Sequence, residues 1–212
     1  MERRTPVIIA IALGALLLQQ LRSCAPGASR VALPDISADP VQEELDPPLV
    51  VDVVRGGKPF HIRQTHHYVA VGEVLSAESY DLTWTNDFFD VDVGIIWGPF
   101  REEIEQAVHF NQGGRWLFWV SPGPVSDDLR ARITRSVGNE HLIPAEGRDN
   151  LARAIRGTRK GERVRIEGML VDIEDDAGNV LTRSSRSRDD TGAGACEVVY
   201  VTRFQRDRRS WR

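Results

Sequence analysis

The 212-residue sequence predicts an α+β fold rich in β-strand, behind an N-terminal transmembrane or signal-anchor helix. Three observations predict it. Residues 6–18 carry no charge, Pro and acidic side chains crowd residues 25–49, and short β-branched runs alternate with Gly, Asp and Asn turns from residue 50 onward.

Arg3 and Arg4 precede the run Pro6–Leu18, and Gln19, Gln20 and Leu21 extend the uncharged stretch up to Arg22. A basic flank before an apolar run is the pattern of a secretory signal, and snorkelling arginines lengthen a short span. Residues 1–24 are therefore expected to be a signal-anchor or a cleaved signal peptide, entering the membrane through residues 7–21 with Arg3 and Arg4 inside. Leu21-Arg22-Ser23-Cys24 resembles a bacterial lipobox, which makes lipid attachment at Cys24 a competing fate; Arg22 and the two glutamines depart from that pattern. The expected location is the bacterial inner membrane, single-pass, with the C-terminal domain in the periplasm. Residues 25–49, with Pro26, Pro34, Pro40, Pro47 and Pro48, read as an extended tether.

Residues 50–204 are expected to form one domain, and residues 205–212 a basic, solvated tail. Leu49–Val54 reads as a strand ended by Gly56-Gly57; residues 60–64, 68–75 and 91–97 read as further strands. Phe100, Ile104 and Val108 recur at helical spacing, with Glu102, Glu103 and Glu105 early in the segment. Arg115–Val120 is strand-like with aromatics on both faces, which predicts either burial on both sides or one exposed aromatic face. Ser126 reads as a helix cap, Pro144 marks an edge strand, and Asp149 caps a helix stopped by Gly157.

Residues 163–173 form the longest strand pattern. Val164, Ile166 and Leu170 share a face, and beyond Gly168 the other face turns apolar as well. A Gly at that switch predicts a bulge or sharp coil. Asp175–Asn179 supplies a hairpin turn, residues 180–188 an exposed strand, and residues 195–204 a final strand. The sheet is expected to be mainly antiparallel, or a small barrel of the OB type, with short helices.

Charge is uneven: the net −4 averages an acidic residues 1–147 and a basic residues 148–212. A polyanion partner for the whole chain is not suggested, and no nucleic acid is expected. Arginines outnumber lysines 25 to 2, as genome composition would produce.

Several residues carry candidate chemistry. Asp190-Thr191-Gly192-Ala193 matches the Asp-Thr-Gly-Ala signature of retropepsin-like aspartic proteases, but polar residues Ser187, Arg188 and Asp189 precede it and only 20 residues follow Gly192. A Gly-rich turn is the competing reading. Cys196 becomes a nucleophile only beside a base; five histidines are available, spacing places none of them beside it, and a buried, inert thiol is the favoured reading. Alternation puts His61 and His67 on one strand face, six residues apart, too far for one chelate. No metal and no cofactor is expected. His67, Trp97, Trp116, Trp119, His141, Asp189, Asp190 and Cys196 form the candidate functional surface, and Asp81–Phe89 a candidate aromatic loop.

Trp97-Gly-Pro99, Gly113-Gly-Arg-Trp116-Leu-Phe, His141-Leu-Ile-Pro-Ala145 and Asp189-Asp-x-Gly-x-Gly-x-Cys-Glu197 together resemble a pattern in bacterial membrane-anchored proteins of unknown function, over about residues 65–204. The resemblance implies an anchored, exported domain and assigns no catalytic residue. The leading expectation is a non-catalytic envelope module that binds a protein or small ligand. A hydrolase using Asp190 or Cys196 and an OB-like nucleic-acid binder stand as alternatives.

Overall fold

In the computed structural model, residues 27–80, 88–89, 91–192 and 194–212 are described. The proposed membrane segment 7–21, Cys24 and residues 81–87 of the aromatic loop lie outside them. The β-branched runs become eleven strands: β1 Ser29–Arg30, β2 Val41–Arg55, β3 Lys58–Ser79, β4 Val91–Ile96, β5 His109–Gly113, β6 Trp116–Val120, β7 Val137–Pro144, β8 Arg163–Asp175, β9 Val180–Arg183, β10 Glu197–Arg206 and β11 Arg209–Trp211. Three short helices join them: α1 Arg101–Ala107, α2 Asp127–Ser136 and α3 Asp149–Arg156. The fold is β-rich, with few short helices and a mixed sheet.

Five strands pair in a circuit that closes on itself. β3 pairs β4, β4 pairs β7, β7 pairs β10, β10 pairs β8, and β8 returns to β3. The β7–β10 pair is parallel and the other four are antiparallel. Closure removes exposed edges and turns one face of every strand inward. Tyr68, Ala70, Val93, Ile95, Leu142, Val164, Ile166, Leu170 and Val199 are buried there in one apolar cluster. A second, smaller cluster forms where α1 and α2 pack outside the circuit, around Ile104, Val108, Phe110 and Ile133. Ser126 caps α2 by accepting from the Leu129 amide at 3.2 Å, as its position predicts.

The glycine switch in β8 has a physical cause. Gly168 lies opposite Val201, at the point where β10 shifts register before Arg203. A Cβ on Gly168 would stand 2.1 Å from the Tyr200 carbonyl oxygen. Only a residue without a side chain lets β8 and β10 close at this corner.

The structure corrects several sequence expectations. Residues 41–49, read as tether, are the first part of β2, and residues 27–40 run along the domain: Ile36 is buried and Asp39 accepts from Trp97 Nε1 at 3.1 Å. Pro47 and Pro48 fit because β2 is an edge strand whose pairing with β3 is interrupted between Glu44 and Leu49. Pro144 ends β7, which lies between β4 and β10 and is not an edge. α3 begins after Arg148, and no side chain caps it. The exposed strand after the Asp175–Asn179 turn is shorter than residues 180–188: it ends at Arg183, and Ser184 and Ser185 are buried.

β3 is one strand through both of its expected pieces, but Thr65 is an extra residue that shifts its register on β8. His61 therefore faces Glu174 while His67 faces Met169, five residues away along β8, so alternation puts the two histidines on opposite faces. Residues 205–212 are not a frayed tail. β11 pairs with β10 and β1, and Trp211 is buried with Arg206 over its ring at 5.6 Å. Trp211→Ala is expected to cost ~3–5 kcal/mol, read by chemical denaturation.

Candidate functional site

β4, β7 and β10 lie side by side, and their register decides which polar residues meet. Asp92 of β4 is directly opposite His141 of β7, and Glu140 of β7 is opposite Glu197 of β10. Alternation then sorts these residues onto two faces. Asp92, Asn139, His141 and Cys196 stand outside the circuit of strands, while Glu140 and Glu197 point in with Tyr68.

On the outer face, His141 Nδ1 lies 2.6 Å from Asp92 Oδ1. That is the distance of a charge-assisted contact, although the ring N–H is not aligned for a good hydrogen bond. The same imidazole and the Cys196 sulfur line one cavity, close enough for the sulfur to act on the ring electrostatically. Asn139 Nδ2 donates to Cys196 Sγ at 3.4 Å, and Phe89 stacks on the His141 ring with centroids 5.1 Å apart. Burial alone pulls the His141 imidazole down, but the Asp92 carboxylate and the Cys196 thiol more than offset it and push it up to about 9. The buried Asp92 carboxylate also lies 3.5 Å from Arg115 Nη1.

The β5–β6 hairpin covers this face. Its two-residue turn, Gly114-Arg115, has positive φ at both positions, the twist a tight hairpin needs. Arg115 is not glycine, yet it holds φ 72°. Its surroundings over-determine it: its amide donates to Tyr80 Oη at 3.0 Å, its carbonyl accepts from Asn139 Nδ2 at 3.1 Å, and its guanidinium lies 4.2 Å from the Tyr80 ring centroid. Such strain concentrates at functional sites. The hairpin sits close because β4 has Gly94 beneath Leu117, where a Cβ would come within 2.6 Å of Leu117 Cδ1.

Two open cavities flank the thiol. One, of about 370 Å³, is lined by Phe110, Trp116, Phe118, Trp119, Asp190 and Cys196 among others. The other, of about 310 Å³, is lined by Arg115, Trp116, His141, Arg183 and Cys196 among others. Trp116 and Cys196 belong to both.

Inside the circuit of strands, Tyr68 Oη donates to Glu140 Oε1 at 2.9 Å, while Arg188 reaches Tyr68 Oη at 2.6 Å and Glu197 Oε1 at 2.8 Å. Burial pushes Glu140 up to about 7, with Arg188 and Tyr68 opposing it. Burial, then the Glu140 charge, raises Glu197 well above the carboxylate range. Two buried carboxylates facing one guanidinium hold a proton that the unfolded chain releases. The contribution of Glu140 to stability is fully present below the ordinary 4.5 and is lost as pH rises through about 7, and that of Glu197 is lost in the same direction. His141 acts in the same direction, fully stabilising below 6.5 and lost through about 9. The melting temperature is therefore expected to fall from pH 5 to pH 9, and Glu140→Gln to flatten the fall below about 7, both measurable by thermal denaturation across that range.

Of the residues singled out in the sequence, His141 and Cys196 line one cavity, and Trp116, Trp119 and Asp190 line the adjoining one. Asp190 accepts from Ser185 Oγ at 2.7 Å: it faces a hydroxyl rather than a second carboxylate. Asp189 is exposed, 3.7 Å from Arg135. Trp97 is a core residue, 1% exposed, and His67 lies on β3, paired with Met169, away from this cluster. Sequence reasoning missed Asp92, Asn139, Arg115, Tyr68, Glu140 and Arg188. The available signal was an acid inside the apolar run Val91–Ile96 and another in Val137–Pro144, since a buried charge requires a partner.

Among the described residues no group of three or more His, Cys, Asp or Glu side chains is arranged to hold a metal ion, and no helix is long and apolar enough to cross a membrane. No protein family, curated protein or solved structure matches the chain.

Proposed function

We propose that the chain is a thiol-dependent acyl-transfer enzyme, with Cys196 as nucleophile, His141 as its general base and acid, and Asp92 as the group that orients and charges the imidazole. The observation that carries this reading is the cluster itself: Asp92 lies 2.6 Å from His141 Nδ1, His141 and Cys196 line one cavity, and Cys196 lines a second. With Nδ1 turned to Asp92, Nε2 is the ring nitrogen left for the thiol. The Asn139 amide donates toward the sulfur and holds it in place, and the imidazole is positioned to take up and return the thiol proton. The sulfur attacks a carbonyl carbon and forms a thioester, the bond to the leaving group breaks, and His141 delivers its proton to that group. Water then attacks the thioester, gives its proton to His141, and releases the acid and the thiolate. The measurement is the mass of the full-length chain carrying Cys24→Ser after brief exposure to p-nitrophenyl acetate: one acyl group on Cys196 is expected, and none when Cys196→Ala is added.

The scaffold for this site, in our reading, is an OB-like barrel. Support comes from the closed order β3-β4-β7-β10-β8, its parallel β7–β10 pair, and the position of α3 between β7 and β8. The reading keeps the domain tethered to a bacterial inner membrane and facing the periplasm, supported by the uncharged residues 7–21 behind Arg3 and Arg4. A periplasm-active reporter fused at the C-terminus is expected to be active, and a cytoplasm-active one inactive. A non-catalytic module that binds an envelope protein or small ligand is the second reading. It is favoured by Trp116, Phe118 and Val120, which stand on the exposed face of β6.

A further inference from the structure

The two cavities differ in chemistry, and Cys196 stands at their junction. The larger lies between the β5–β6 hairpin, the C-terminal part of α2 and residues 187–192 and 195–197, and its volume falls in the range of small-molecule sites. Phe110, Trp116, Leu117, Phe118, Trp119 and Ile133 form its apolar side, and Arg188, Asp190 and Glu197 also line it. Trp116 and Phe118 are about half exposed, so apolar surface stays in water that a ligand would remove. The smaller cavity is lined by Arg115, Arg183 and His141, and among the described residues no carboxylate lines it. Gly114 and Gly194 also border it, leaving room near the sulfur. A substrate reacting at Cys196 therefore has an apolar arm available on one side and a negatively charged arm on the other.

Resting on the thiol reading, we propose that the substrate is an ester or thioester whose acyl group is an apolar chain, seated in the aromatic cavity, and whose leaving portion bears phosphate, seated against Arg115 and Arg183. The chemistry at sulfur is the step given above: acyl carbon to Cys196, leaving thiol or alcohol protonated by His141. Phosphate-bearing leaving groups occur on soluble carrier thiols and on membrane lipids, and the two sources are separable by experiment.

The full-length chain is offered four octanoyl substrates in two pairs: octanoyl-coenzyme A against octanoyl-N-acetylcysteamine, and dioctanoyl phosphatidylglycerol against dioctanoylglycerol. Acetyl-coenzyme A and p-nitrophenyl acetate are the short-chain controls. The proposal expects octanoyl-coenzyme A or the phospholipid to exceed its uncharged counterpart in kcat/KM, and octanoyl to exceed acetyl by ~10-fold or more. The pair with the larger ratio names the source. Phe118→Glu is expected to lower the octanoyl-to-acetyl ratio, and Arg183→Glu the charged-to-uncharged ratio; both positions are exposed, and circular dichroism checks folding. Turnover of p-nitrophenyl acetate that requires Cys196 and His141, without chain-length or charge preference, overturns the substrate class and leaves the thiol reading standing. Equal turnover by Cys196→Ala overturns both.

Discussion

A Gly168→Val chain does not fold. The new side chain would begin 2.1 Å from the Tyr200 carbonyl oxygen, with the Tyr200 carbonyl carbon and Val201 Cα close behind. These are backbone atoms of the strand that closes the barrel, so no rotamer change relieves the clash. Relief requires β8 and β10 to separate, which breaks the pairs that join Leu170 to Val199 and Ile166 to Phe204. Those four side chains are fully buried. Overpacking of an ordinary core site costs ~1–3 kcal/mol, and a backbone clash at a closure point exceeds that. Gly168→Ala meets the same contact at its Cβ and is expected to lose ~3 kcal/mol or more by urea denaturation.

Asp92→Asn lowers the rate at which Cys196 is acylated by ~10²–10⁴-fold at neutral pH. The carboxylate sits 2.6 Å from His141 Nδ1 and is among the causes that push the imidazole up to about 9. Burial opposes that charge, so an imidazole beside a neutral amide reverts toward the uncharged form. An amide can also present its NH₂ to Nδ1, which would hold the ring in the wrong tautomer for a base facing sulfur. The substitution is isosteric, and Arg115 Nη1 and His141 still meet an oxygen or nitrogen of the same shape. Far-ultraviolet circular dichroism should therefore remain unchanged while p-nitrophenol release falls. The steady-state rate should fall with kcat and not through KM alone, because Asp92 lines neither cavity.

Local features were legible in the sequence because local physics decides them. Ser126 caps α2, Asp175 and Asn179 make a hairpin turn, and Gly168 marks the strand corner. β6 behaves as its two-faced aromatic pattern allowed: Trp116, Phe118 and Val120 are exposed while Leu117 and Trp119 are half-buried. Proline misled in two places. At Pro47-Pro48 and at Pro144 the missing N–H is harmless because one pair sits in an interrupted edge and the other ends its strand.

The site was legible only in pieces. His141 and Cys196 were both visible as reactive residue types, but their approach depends on the parallel pairing of β7 with β10. The neighbouring Asn139–Cys196 contact spans 57 residues of sequence. No spacing rule links partners brought together by barrel closure. Asp92 and Glu140 were hidden in apolar strands, where an acid reads as noise until a partner is seen. The same closure sends Glu140 and Glu197 inward while the residues beside them, His141 and Cys196, face outward, so two charged networks with different roles share two strands.

The measurement that tests the thiol assignment most directly is the rate of Cys196 alkylation by iodoacetamide at neutral pH, in the folded full-length chain and in His141→Asn. Cys24 is replaced by serine in both, leaving Cys196 as the single thiol. If His141 activates the sulfur, the parent chain is alkylated at least ~10-fold faster than His141→Asn, and denaturation abolishes the difference. Equal rates in the two folded chains would contradict the assignment and leave the Asp92–His141–Cys196 contacts as structural.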